Sequence, residues 1–91
     1  MALEETAAHF DAAADFVRES KILLAADVVQ RHEQAVRLIR RAIGPAVDPA
    51  SMAGEIDHAA TVIKDNLEKV IGQFERLEWA LEQYARRLRG G

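Results

Sequence analysis

Hydrophobic residues in the second half of the chain recur at alternating gaps of four and three. Ile56, Ala60, Ile63, Leu67 and Val70 open the series; Phe74, Leu77, Leu81, Tyr84 and Leu88 complete it. This spacing holds every member on one stripe of an α-helix, and a stripe that long needs another helix to cover it. The first half carries a similar stripe. It runs through Leu3, Ala7, Phe10, Ala14 and Val17, and continues through Lys21, Leu24, Val28, Arg31, Ala35, Leu38 and Ala42. A second series, Ile22, Val29, Val36 and Ile43, lies on the adjoining face. The two together make an apolar surface wider than one partner helix covers. The alanines would let a neighbouring backbone approach closely. Lys21 and Arg31 interrupt the first stripe and are expected to carry their charged ends to its edge.

The punctuation predicts two helices. Glu4 and Glu5 suit the positive end of a helix dipole, and Arg37, Arg40 and Arg41 suit the negative end. Gly44 can cap the first helix, and Pro45 cannot continue it. Asp48 is the expected N-cap of the second helix, with Pro49 at its first position. The expected spans are about 2–43 and about 49–89, joined by a turn at 44–48, each helix roughly 60 Å long. Gly54 and Gly72 would weaken the second helix by ~1 kcal/mol each if exposed. The pairs Lys64/Glu68, Asp65/Lys69 and Glu82/Arg86 would support it. The expected fold is all-α: a single-domain antiparallel two-helix hairpin over residues 1–91. Its surplus apolar surface would be covered by dimerisation into a four-helix bundle or coiled coil.

Composition narrows the chemistry. Ninety-one residues make one domain at most, near the lower limit for a self-sufficient core. Hydrophobic residues are 49% of the chain, yet only one Trp, one Tyr and three Phe are present, which favours close helix contact over a thick core. Twelve basic and fifteen acidic residues are spread along the chain for a net charge of -3. No basic stripe suits nucleic acid as a partner. With no cysteine, thiolate catalysis, disulfides and Cys-based zinc sites are excluded. The N-terminal Met1-Ala2-Leu3-Glu4-Glu5 lacks the features of a signal peptide, and no membrane-spanning run is visible. The expected location is the cytoplasm, unless export uses a route without a cleaved signal.

Few residues suggest a reaction. Glu55-Ile56-Asp57-His58 is an E-x-x-H on a helix, and a hairpin turning near Ala46 brings His32 and Glu33 level with it. Glu33, Glu55 and His58 would form half of a ferritin-like di-metal site, completed by a dimer mate. Against this, Glu55 and His58 fall on the side of the helix opposite Ile56 and Ile63, so a solvated polar face is expected and no cofactor. His9 has no acidic partner at ligand spacing. Ser20 and Ser51 have no placed base, so nucleophilic catalysis is not expected. Trp79 shares a face with His58, Asp65, Gly72 and Arg86; it is either a hot spot for a further partner or packed on a neighbouring helix. The final Leu88-Arg89-Gly90-Gly91 resembles the ubiquitin tail, with a glycine-capped helix end as the plainer reading.

In architecture the whole chain resembles the small helical-hairpin proteins of type VII secretion, the WXG100 or ESX-like family. The segment Leu77-Glu78-Trp79-Ala80-Leu81-Glu82-Gln83-Tyr84 is similar to their second helix. Ile43-Gly44-Pro45 stands where that family has its Trp-x-Gly turn. Its Tyr-x-x-x-acid export signal would require an acid where this chain has Leu88. The resemblance implies a hairpin that pairs with another hairpin, and specifically the partner lacking the export signal. The expected function is therefore non-enzymatic: a partner, adaptor or chaperone-like subunit that binds itself or a second helical protein. Phe10, Val17, Leu24, Val28 and Leu38 on the first helix, and the Ile56–Leu88 stripe with Trp79 on the second, are the expected interface. A metal-binding oxidoreductase and a structural coiled-coil subunit of a larger assembly are the alternatives.

Overall fold

The computed structural model describes residues 2–44, 48 and 50–90. The chain is an all-α hairpin. Helix α1 spans Ala2–Leu23, a single π-helical turn spans Leu24–Val29, helix α2 spans Gln30–Ile43 and helix α3 spans Met52–Leu88. The first three run on without a break and form one arm, and α3 returns along it as the other. The molecule measures 62 × 20 × 15 Å with a radius of gyration of 19.6 Å. A compact chain of this length would have a radius of about 12 Å. This is a rod two helices wide.

The arms meet along a seam of small side chains. Ala7 and Ala14 from α1, and Ala60 and Ala85 from α3, are the buried apolar residues, joined by Gly54. Among the described residues, no large side chain is completely enclosed. Two helices touch along a line, and a line shelters only what lies directly on it. Leu67, Ile71, Phe74, Leu81 and Leu88 flank the alanines on α3 and are half-buried.

The π turn resets the first arm. Before it the seam passes through Ala7, Ala14 and Lys21 at intervals of seven; after it the half-buried series is Val29, Val36 and Ile43. The step from Lys21 to Val29 is eight residues. A π-helical turn holds one more residue than an α-turn, so it absorbs the surplus and keeps both halves facing α3. The expectation of a single stripe running to Ala42 is thereby corrected: the two series are one seam, before and after an inserted residue. The arm's first stripe turns outward beyond the insertion. Val28 and Leu38 are exposed, Leu38 by 64%, and Arg31 points away from α3 and pairs with Asp27 in its own arm. Lys21 stays at the seam's edge, as a long cationic side chain can.

The turn differs in detail from the sequence expectation. Gly44 ends the first arm with φ +88° and ψ 178°, and its amide donates to the Arg40 carbonyl at 2.9 Å. That backbone region is essentially reserved for glycine. The N-cap of α3 is Ser51, not Asp48: its hydroxyl accepts from the Gly54 amide at 3.0 Å. The Asp48 carboxylate is engaged two residues on by the Ala50 amide at 2.9 Å, and its carbonyl accepts from the Ser51 amide. Asp48 thus shapes the approach and Ser51 caps the helix. The expected positions of Pro45 and Pro49 lie outside the described residues.

Candidate helix-docking face

The two long edges of the hairpin have opposite chemistry. On one edge the arms are tied by ion pairs. Arg18 Nε donates to Glu78 Oε1 at 2.7 Å and its NH2 to Glu82 Oε1 at 2.6 Å, while NH1 reaches Asp15 at 2.8 Å. Lys21 Nζ adds a contact to Glu78 Oε2 at 3.2 Å. Arg89 bonds Asp11 and approaches Glu4 at 3.5 Å. The Arg18 guanidinium holds the half-buried Glu78 carboxyl below the usual glutamate range, against the opposing effect of desolvation and with help from Lys21. Arg18 and Arg89 hold their protons more tightly than free arginine, chiefly through the bonds to Glu78 and to Asp11 respectively. Glu82, expected to pair with Arg86 along its own helix, reaches across to Arg18 instead. The cross-arm pair fixes the arms against sliding; exposed partners make it worth little in energy.

The other edge is apolar and open. Only half of the α3 stripe faces the first arm. The row Ile56, Ile63, Val70, Leu77 and Tyr84 is rotated one flank away, each member between 43% and 51% exposed. Tyr84 meets Phe10 edge to face with ring centres 5.0 Å apart. Further along, Leu23, Leu24 and Val28 of the first arm and Val70 and Phe74 of α3 line an open groove, with Ser20 and Asp27 at its rim. On the first arm the same side carries Phe16, 69% exposed, and Leu23, 67% exposed. Between Ile56 and Tyr84 the residues next outward on α3 are Ala59, Asn66, Gln73 and Ala80, exposed and uncharged, with Arg87 following. Val17 and Leu24 sit half-buried under this face, as do Leu67, Leu81 and Leu88. The π turn extends the face by turning Val28, Ala35 and Leu38 onto it.

The remaining candidates are dispersed. Glu55 and His58 are exposed on the outside of α3. Glu33 is half-buried beside Lys64, Leu67, Glu68 and Ile71. Its neighbour His32 is level with α3 as expected, but its Nε2 donates to the Ala60 carbonyl at 2.8 Å and ties the arms together. Among the described residues, no three His, Asp or Glu side chains converge at metal-ligand spacing. Trp79, 65% exposed, lies over a shallow depression floored by Gly72 and Ala80 between Glu75 and Arg76 on the back of α3. At the C-terminal end, the Arg89 amide closes α3 on the Ala85 and Arg86 carbonyls, and Gly90 takes φ +80°. Gly91 lies outside the described residues. Among those residues, no helix is long and apolar enough to cross a membrane.

Sequence reasoning missed the ion-paired edge. Its signal was present, since Arg18 and Glu78 each stand beside the apolar stripe of their own helix. Their meeting depends on which stripe flank faces the other arm, and a stripe alone leaves that open. Comparison with known protein families, characterised proteins and solved structures found no match to this chain.

Proposed function

We propose that this chain is a non-enzymatic helix-docking subunit: a hairpin that works by covering, and being covered by, another helical hairpin. One observation carries the reading. Ile56, Ile63, Val70, Leu77 and Tyr84 of α3, with Leu23 and Val28 of the first arm, lie on one open face, while among the described residues the enclosed apolar side chains are all alanines. Soluble monomers rarely expose contiguous apolar patches of this kind, and such patches mark interaction sites. The resemblance to type VII secretion hairpins supports the same role. It makes the chain the signal-lacking partner or chaperone-like subunit of an exported protein.

The test is association read together with helicity. Light scattering and circular dichroism on the purified chain should find a helical, associated species. Val70→Asp should abolish association, because a carboxylate there would be buried without a partner. Trp79→Asp, on the back of α3, should leave it intact. A helical monomer indifferent to Val70→Asp would remove the basis for this function.

A further inference from the structure

We infer that the open face is covered by a second copy of this chain, antiparallel to the first, with α3 running against the partner's α3 about a two-fold axis at Val70. The inference rests on the docking reading above and names its occupant. Three observations carry it.

The first is the row itself. Ile56, Ile63, Val70, Leu77 and Tyr84 stand seven residues apart, about 10.5 Å along the helix at ~1.5 Å per residue. Reversed about Val70, the row falls on itself: Ile56 meets Tyr84, Ile63 meets Leu77, and Val70 meets Val70. A two-fold interface requires this self-complementarity. α3 is the only arm with a straight row of this kind among the described elements, because the π turn steps the other arm's row sideways. Straight row therefore pairs with straight row.

The second is the flank. In an antiparallel pair, residues flanking the seam meet their own kind from the other helix, and like charges there oppose self-pairing. Charged flanks are how paired helices select orientation and partner. Here the outer flank between Ile56 and Tyr84 is Ala59, Asn66, Gln73 and Ala80, uncharged, and Arg87 beyond it falls level with the uncharged Ala53 of a second copy. On the first arm, Asp27 beside the axis is paired with Arg31 of its own helix, and Lys21 with Glu78 on the opposite edge.

The third is the fit of the first arms. The groove sets Val70 level with Leu24 and Val28, so the same axis passes the first arm near Ala25 and Ala26. That places Phe16 level with Ala35 of the second copy, and Leu38 level with its Ala13. Phe16 and Leu38 thus fall opposite alanines, and Leu23 falls opposite Val28. The row from Ile56 to Tyr84 runs about 42 Å along α3 at ~1.5 Å per residue, long enough to seat a second copy along most of its length.

The chain has no cysteine, so single cysteines can report the register directly. Val70→Cys should cross-link to itself with oxidant or a short bis-maleimide, giving a covalent dimer of a 10.1 kDa chain as the dominant species. Ile63→Cys and Leu77→Cys should cross-link when mixed, and at least tenfold less when alone. Efficient self-linking of Ile63→Cys would overturn the antiparallel arrangement. A wild-type monomer at high micromolar concentration would overturn the second copy. In that event a poorly helical monomer leaves the docking reading standing with a different partner, whereas a well-folded one indifferent to Val70→Asp removes both.

Discussion

Arg18 donates to three carboxylates, of which Glu78 is the most buried, between the arms. Its carboxyl is held below the ordinary range in the folded chain. The contribution is therefore complete at neutral pH. It fades as pH falls below the unfolded value of about 4.3 and through the lower folded one. Glu78→Gln should lower the melting temperature at pH 7 and flatten its decline in acid; an acid limb as steep as the wild type's would refute the assignment. Gly44 is the other residue with a defined cost. An alanine there keeps a strained positive φ, so Gly44→Ala should destabilise by about 1–3 kcal/mol in urea titration. The sequence pointed to Gly44, and it also pointed to Asp48 as the cap. Ser51 took that place because capping depends on which side chain reaches the amide three residues on, and both residues have a suitable oxygen.

At the scale of elements, the helices, their direction and their turn were legible in the spacing of apolar residues. The π turn was legible only in part. Two apolar series on one helix could mean a wide face or one face with an inserted residue, and periodicity alone does not separate these. Arg31 held the clue: a single stripe would carry an arginine toward the other arm, while the shifted one presents Val29, His32 and Val36. The insertion makes a deletion informative. Removing Ala26, exposed in the π turn, should restore a continuous α-helix that keeps both halves on the seam, with helicity and melting temperature near wild type. Removing the equally exposed Asn66 turns everything after it by about 100° and should abolish the cooperative transition. Equal tolerance of the two deletions, followed by circular dichroism, would refute the phase shift as the turn's role.

For the whole molecule, the proposed pairing of hairpins makes stability depend on protein concentration. The melting temperature should rise by about 3–6 °C for each tenfold increase in protein, as measured by calorimetry. A transition independent of concentration would mean the hairpin stands alone. What the sequence could not supply at this scale was the division of α3's stripe between the first arm and the open face. Phe74 is half-buried beside the first arm and Val70 is exposed, although both fit the same spacing and both line the groove. The resulting contrast between edges has a consequence for the solvent around them. Sulfate screens the charges that tie Arg18 to Glu78 and Arg89 to Asp11, while its exclusion from apolar surface favours burial of the open face. If a second hairpin covers that face as proposed, one salt should therefore slacken the hairpin's own clasp as it tightens the grip on that neighbour.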